Sequence, residues 1–357
     1  MAIGFTSAVA DFDQKQFDAL DTTAGFASSY TRLLQKEQDP RWISRYLWWT
    51  DDDRLRAAIP VYRSRMSSWP DPRYDPRSWG LPDGAGDDCT PQASLLVGGC
   101  GDRRTGLHVD VESRTPDTLR SLLVELARIA ADEDRCLVFP YMHADARKAL
   151  DAATDDLIAW VELPREAHVF GLADPEWENR LPRRVRRTFR QDRRRIAATP
   201  VTDGVAGGGA LSWDEARPWA AELISRQHTA KGDPEPPEFV DFRYSDLQEN
   251  PDVDVLVFTA RSPTLCGVAT AVVWADEMEV CEFGLSGEND EEHLAVYISV
   301  GFHQPFQYAQ ARGINHLRYG RTSEAPKAIR GAVFTENSNG VLGIDETKRL
   351  ARRGPDG

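Results

Sequence analysis

The chain has 357 residues, a net charge of −14, 41% hydrophobic and 28% charged residues. Its length suggests two domains at roughly 100–200 residues each, with enough apolar content for sizeable cores. The acidic balance excludes a general nucleic-acid binder. Five cysteines without a CxxC pair and seven histidines without an HExxH run argue against a disulfide framework or a metal site. The start lacks a basic region followed by an apolar one, so a cytoplasmic protein is expected. The longest uncharged apolar run, 262–275, is too short to span a bilayer.

In chain order, 44–65 reads as a hairpin around an Asp-rich turn, with Pro60 marking an edge or bulge. The Pro, Gly and Asp density of 66–92 marks a long loop carrying Trp69, Tyr74 and Trp79. Those rings either line a binding edge or pin the loop to the body. Strands are expected at 93–99 and 106–112. An amphipathic helix follows at 115–135, with Leu119, Leu122, Leu123 and Leu126 at helical spacing and Thr115 as N-cap. Further expectations are a strand at 136–142, a helix at 144–154, a strand at 157–164 and a linker near 165–180.

The segment 179–196, NRLPRRVRRTFRQDRRRI, carries nine arginines and one aspartate. Leu181, Val185, Phe189 and Ile196 recur near helical spacing, so one face of a basic helix docks and the other stays wet. A Gly-rich turn at 203–209 precedes a helix at 212–231, opened by a Ser212–Glu215 capping box. Three antiparallel strands fill 253–287, and a long helix, bent near Pro305, spans 292–312 and ends at Gly313. A strand at 314–320, a short helix at 323–331, a last strand at 332–336 and a frayed tail complete the chain. The halves share an order of hairpin, helix and short strand, as two copies of one mixed α/β unit would.

The order of RRVRRTFRQDRRRI, RQHTAKG, LCGVATAVVW and the run 293–334 resembles the FemAB/FemX-like acyltransferases of the GNAT fold. The positions that carry the likeness are Ala311, Gly313, Leu317, Gly320, Lys327, Arg330 and Gly331, with LRAAIPVY (55–62) similar to the family's hairpin. The resemblance covers about 40–335. It implies an α/β (α+β) protein of two tandem GNAT-like domains, each a mainly antiparallel sheet flanked by helices. The domains would be 1–165, 166–345 with the basic helix at 180–196, and a flexible tail 346–357. The implied activity is amide formation in the second-domain cleft, in cell-wall precursor or specialised-metabolite biosynthesis; the Arg-, Ala- and Asp-rich composition suggests a high-GC bacterium. The acyl donor is a cosubstrate, so no cofactor and no metal are implied. This chain departs from relatives in having Pro326 before the lysine, where a histidine is common, and Tyr297 where some have glutamate.

Such a transfer needs a neutral amine, donors for an oxyanion and a proton for the leaving atom. Lys327 and Arg330, three apart on a short helix, would hold a phosphate or oxyanion, or be surface cations. Tyr319 and Arg321 flank Gly320 at a strand end; Tyr319 is a proton donor or a half-buried strand residue. Glu282 is a base, an amine binder or a solvated strand residue. His293 is a base or a helix-start residue, and His108 with Asp110 poses the same question in the first half. Trp69, Tyr74, Trp79, Tyr297, Arg321 and Arg330 are the substrate-binding candidates. Arg183, Arg184, Arg186, Arg187, Arg190 and Arg194 are the candidates for tRNA phosphates. After CEFGLSG the chain reads ENDEEHLAV, which is acidic where a CoA pyrophosphate needs free backbone N–H groups. The acidic run weakens the acetyl-CoA reading, and the resemblance to FemX-like members, which typically use aminoacyl-tRNA, implies that donor; an acyl-CoA or carrier-protein donor is the alternative, and a non-catalytic RNA- or partner-binding GNAT-fold protein the reading of another class.

Overall fold

A computed structural model describes residues 2–20, 24–199, 201–203, 209–287 and 291–353. Most of the expected Gly-rich turn at 203–209 lies outside the described residues. In chain order the strands and helices used below are β1 (Ala2–Thr6), β2 (Trp42–Asp51), β3 (Arg54–Ser64), β4 (Ser94–Val97), α1 (Pro116–Asp132), β5 (Cys136–His143), α2 (Ala144–Thr154) and β6 (Ala159–Phe170). They continue with α3 (Arg183–Ala198), α4 (Trp213–Ala230), α5 (Pro237–Gln248), β7 (Asp254–Arg261), β8 (Cys266–Trp274) and β9 (Glu277–Leu285). Last come α6 (Glu291–Ile298), α7 (Gln304–Arg312), β10 (His316–Arg318), α8 (Glu324–Ala328), β11 (Val333–Leu342) and α9 (Ile344–Ala351).

The chain forms two compact units, one of 1–164 with 336–357 and one of 165–335. In the first unit β1, β2, β3 and β4 pair antiparallel in order, β4 pairs parallel with β5, and β11 closes the sheet antiparallel to β5. Alternation along the strands covers both faces. Leu47, Ile59, Val97 and Phe139 meet Leu122 and Leu126 of α1. Tyr46, Tyr62, Leu96 and Val138 meet Trp69 and Tyr74 of the long loop. The Thr115 hydroxyl caps α1 by accepting from Thr118 N at 3.2 Å.

In the second unit β7, β8 and β9 are antiparallel, β9 pairs parallel with β10, and β6 closes antiparallel to β10. The order of pairings is that of the first sheet. A parallel pair needs a crossover: α1 supplies it between β4 and β5, and α6 with α7 between β9 and β10. The core of the second unit gathers Phe258, Ala269, Met278 and Leu317 from the sheet with Val296, Phe302 and Phe306 from the crossover, and Phe189 from α3.

Several sequence expectations are corrected. Residues 106–112 form no strand; only an isolated bridge joins Val109 to Ala57, because His108 sits at φ 49° and breaks the extended run. The strand at 157–164 runs on to Phe170, through the expected linker. The long helix is interrupted by a π turn, Ser299–His303, directly before Pro305. Proline lacks an N–H and its ring crowds the carbonyl four residues back, so the ladder widens there. The tail does not fray at 346: α9 buries Thr347 and Leu350 in the first unit, and β11 from Glu336 onward belongs to that unit as well.

Two glycines test the packing of the second unit. A Cβ on Gly284 would press into the Leu223 carbonyl and come within 2.7 Å of Ile224 N on α4. Gly284→Ala should therefore lower the unfolding free energy by about 1–3 kcal/mol through overpacking. Gly313, closing α7 at φ 69° with nothing within 4 Å, should lose about 1–2 kcal/mol on change to Ala through backbone strain alone. Denaturant midpoints at constant slope measure both.

Candidate active site

β9 and β10 pair over three residues only, Glu277–Glu279 with His316–Arg318. Past that point β9 continues with β8, across a bulge between Ala269 and Ala271, while Tyr319 and Gly320 continue with Ala167 of β6. Two parallel strands that exchange partners in this way leave a gap between them. A row of packed aromatic side chains leads from β9 through the crossover to Tyr319. Phe283, Tyr297, Phe302 and Tyr319 follow one another with ring centroids 5.1, 5.7 and 5.3 Å apart. Tyr319 is 5% exposed, and its hydroxyl finds no hydrogen-bond partner among the described residues. A buried polar atom left so is the kind that a ligand satisfies. Burial, then the neighbouring Tyr297, pushes its pKa well above the ordinary value, so it stays a proton donor.

Lys231, at the end of α4, holds its ammonium 4.5 Å from the Phe283 ring centroid. Burial lowers its pKa, and Glu282 partly opposes that. The lysine of the family-like motif, Lys327, is committed elsewhere. Its ammonium donates to the carbonyls of Tyr319 at 2.6 Å, Gly320 at 3.0 Å and Thr322. Three donors and three acceptors leave none for an oxyanion. Burial brings its pKa down to about 8, against the pull of Glu166 and Glu324. Lys327 thus clamps the turn that carries Tyr319.

Arg330 does not share an exposed helix face with Lys327, because α8 ends at Ala328. Its guanidinium is buried on Asp192 of α3, with Nε to Oδ2 at 2.8 Å and Nη2 to Oδ1 at 3.1 Å. Its remaining nitrogen donates to Pro326 O at 2.8 Å, and the group lies 4.4 Å from the Phe302 ring centroid. The single aspartate of the arginine segment is thereby the anchor that fixes α3 beside the gap. Arg321 follows Gly320 half-buried, and His293 lies half-buried on α6.

Glu282 is a member of a closed ion cluster. One carboxylate oxygen meets Arg243 at 3.0 Å and His228 at 3.3 Å, and the other accepts from the Tyr244 hydroxyl at 2.7 Å. Glu235 completes it, 3.0 Å from His228 and paired with Arg243. Burial raises the Glu282 pKa, but His228, Arg243 and Tyr244 outweigh it and hold the group at about 2. A carboxyl so acidic is a poor base, so the base reading of Glu282 falls. Glu235 and then Glu282 raise His228 to about 9. Ligand atoms of His228, Glu235 and Glu282 lie within 4.8 Å of one another, a spacing that fits a metal. Arg243 already bridges both carboxylates, and with His228 protonated the four charges cancel, so the donor set does not favour a cation. The cluster instead ties α4 and α5 to β9 and fixes the helix end that presents Lys231.

The arginine helix places its apolar residues inward: Phe189 is 3% exposed, and Leu181 and Val185 lie against Gly331. Arg183, Arg184, Arg187, Arg190 and Arg194 are exposed, and Arg186 is half-buried. Arg193 pairs with Glu178 at 2.7 Å, whereas no carboxylate of the described residues lies within 4 Å of those six. The loop aromatics read differently from a lid. Tyr74 is fully buried with its hydroxyl on Asp102 O, Trp69 is 8% exposed, and Trp79 donates to Arg73 O at 3.0 Å, all within the first unit. They pin the loop. His108 is also structural there, its ring nitrogens 3.1 Å from Gly106 O and 3.0 Å from Ser28 O, and Asp110 pairs with Arg56 at 2.6 Å.

Lys231 and the polar residues of β6 were not singled out in the sequence. The signal for β6 was present: Glu166, His168 and Phe170 alternate with Ala167 and Val169.

Two measurements test these assignments. Asp192→Ala should cost about 3–5 kcal/mol, because it strands a buried guanidinium; Arg187→Gln on the same helix should stay within about 0.5 kcal/mol. The His228 linkage has a definite sign. A raised folded pKa gives a contribution complete below the ordinary 6.5 and lost as pH climbs through about 9. The stability difference between wild type and His228→Gln should therefore shrink from pH 6 to pH 10. The Glu282 contribution is present above its ordinary 4.5 and lost as pH falls toward about 2.

No protein-family model matches the chain, and no curated protein matches it by sequence. Solved structures do match by shape. FemX aligns with a TM-score of 0.60 at 11% identity, over 92% of this chain and 96% of FemX. A tandem GNAT protein from the clavulanic acid biosynthesis pathway aligns with a TM-score of 0.55 at 13% identity, over 96% and 99%. A conserved protein of unknown function from Bacteroides thetaiotaomicron aligns with a TM-score of 0.53 at 11% identity, over 95% and 99%. At these identities the likeness is one of fold: the chain shares the tandem GNAT fold seen in FemX and in the clavulanic acid pathway protein.

Proposed function

We propose that the chain is an N-acyltransferase that forms an amide in the gap between β9 and β10. The observation that carries this is the unpartnered, buried Tyr319 hydroxyl in a gap that also receives the Lys231 ammonium. Together they supply what acyl transfer to an amine requires. Lys231 faces the oxyanion of the tetrahedral intermediate, and Tyr319 donates a proton to the departing oxygen or sulfur. The packed rings exclude water from the reacting carbonyl. Lys327 and Arg330 act one step back, holding the turn and the helix that frame the gap.

For the donor we favour aminoacyl-tRNA, delivering an aminoacyl group to the amine of a small molecule or peptide. The exposed arginines of α3 support it, since like charges without internal partners are costly unless an outside anion meets them. The acidic run after β9 speaks against a CoA pyrophosphate cradle there. An acyl-CoA or carrier-protein donor is the second reading, and it gains from the GNAT fold itself. No helix of the described residues is long and apolar enough to cross a membrane.

Incubation with charged tRNA or acyl-CoA and a panel of amines should give an amide detectable by mass spectrometry, with Tyr319→Phe about 10²-fold lower in kcat/KM. Absence of amide with every donor would leave the non-catalytic binding protein as the reading. Binding of tRNA should weaken steeply with salt. A log–log slope near −4 corresponds to about six single-strand phosphates at ~0.7 each, and a flat response would remove the tRNA donor.

A further inference from the structure

β7 and β8 are joined by the turn 262–265, and the residues that flank it, Arg261 and Cys266, stand opposite each other in register. Ala260 packs into the core of the second unit, and a Cβ on Gly267 would meet Val296 of α6. Arg261 and Cys266 therefore face the other way, toward α4. There the Arg261 guanidinium carbon lies 5.9 Å from the Trp219 ring centroid. An open cavity of about 530 Å³ remains between the turn and α4. Small-molecule sites occupy roughly 300–1,000 Å³. Pro218, Trp219 and Leu223 form the α4 wall, Pro263 and Leu265 the opposite one, and Ser286 lines it at the end of β9. The cavity is separate from the gap between β9 and β10, since Lys231, Phe283 and Tyr319 do not line it.

The walls are fixed by contacts of their own. Glu292, at the start of α6, accepts from the Ser262 hydroxyl at 2.5 Å and the Thr264 hydroxyl at 2.6 Å. Ser262 N donates to Leu265 O at 2.8 Å, and Leu265 N donates back to the Ser262 hydroxyl at 3.1 Å. Cys266 N donates to the Ser286 hydroxyl at 2.8 Å, which ties the turn to the end of β9. On the other side Leu223 presses its backbone against Gly284, so α4 has no room to move inward. A cavity held open in this way binds without first ordering its walls. Its polar groups narrow what it can take. The turn hydroxyls are occupied by Glu292, and Glu222 at the rim lies 3.6 Å from Arg226 on its own helix. Arg261 is exposed, and no carboxylate of the described residues lies within 4 Å of its guanidinium. A guanidinium stacked on an indole keeps its N–H edge outward, and that edge fits a carboxylate or phosphate with two parallel hydrogen bonds. The proline, leucine and indole walls suit an apolar body.

We propose that this cavity is a second ligand site, one that binds an organic anion: a carboxylate or phosphate carried on an aromatic body. The anion meets the N–H edge of Arg261, and the ring lies between the α4 wall at Trp219 and the turn at Leu265. The site stands apart from the amide-forming gap and does not rest on that reading.

Cys266 lines the cavity and reports its occupancy. Its alkylation by iodoacetamide is followed by peptide mass spectrometry, with Cys281, also half-buried and outside the cavity, as internal control. Phenylpropanoate and phenyl phosphate, titrated to saturation, should slow alkylation of Cys266 and leave Cys281 unchanged; the one that protects at lower concentration identifies the anion. The neutral phenylpropanamide should need about tenfold more, because it lacks the charge that Arg261 meets. Arg261→Gln, an exposed change whose melting curve should match wild type, should raise the half-protecting concentration of both anions to that of the amide. Equal protection by amide and anions in the wild type would overturn the anion assignment, as would an unchanged response of Arg261→Gln. No protection by any of the three at millimolar concentration, or protection of both cysteines alike, would overturn the site itself.

Discussion

The second unit depends on how briefly two parallel strands stay together. Glu277–Glu279 and His316–Arg318 pair, and then each chain keeps its other neighbour. Backbone groups released from a ladder must be met by something else. Lys327 meets carbonyls of the turn after β10, a row of packed aromatic rings leads to Tyr319, and the Tyr319 hydroxyl is left without a partner. The same brief pairing occurs in the first unit, where β4 and β5 match over Ser94–Leu96 and Cys136–Val138. There Thr105 bridges Met142 and fills the place instead.

Charge in this protein is arranged by burial. The most conspicuous cations of the sequence motif, Lys327 and Arg330, are spent on carbonyls and on Asp192. Breaking such a buried pair costs far more than losing a surface arginine, which is why the lone aspartate among nine arginines matters more to the fold than any one of them. Glu282, attractive as a base, is held acidic by His228, Arg243 and Tyr244. What remains to act on a ligand is less conspicuous: the Tyr319 hydroxyl and the Lys231 ammonium over a ring.

Periodicity and end signals determined much of the architecture. The helix at 115–135, the capping box at Ser212, the glycine stop at Gly313 and the inward stripe of the arginine helix all follow from local residue choice. The repeated order of elements and the ordered weak motifs pointed to a tandem GNAT fold, which the shape comparisons bear out. Tertiary structure decided the rest, because it depends on which neighbour a residue meets. Whether Arg330 faces solvent or Asp192, whether Glu282 is a base or an ion-pair member, and whether Trp69 and Tyr74 cover a site or pin a loop are questions of long-range contact. So is the pairing of His168 with His316, 148 positions apart in sequence. A local pattern sets the face on which a side chain lies; only the folded sheet sets what stands opposite it.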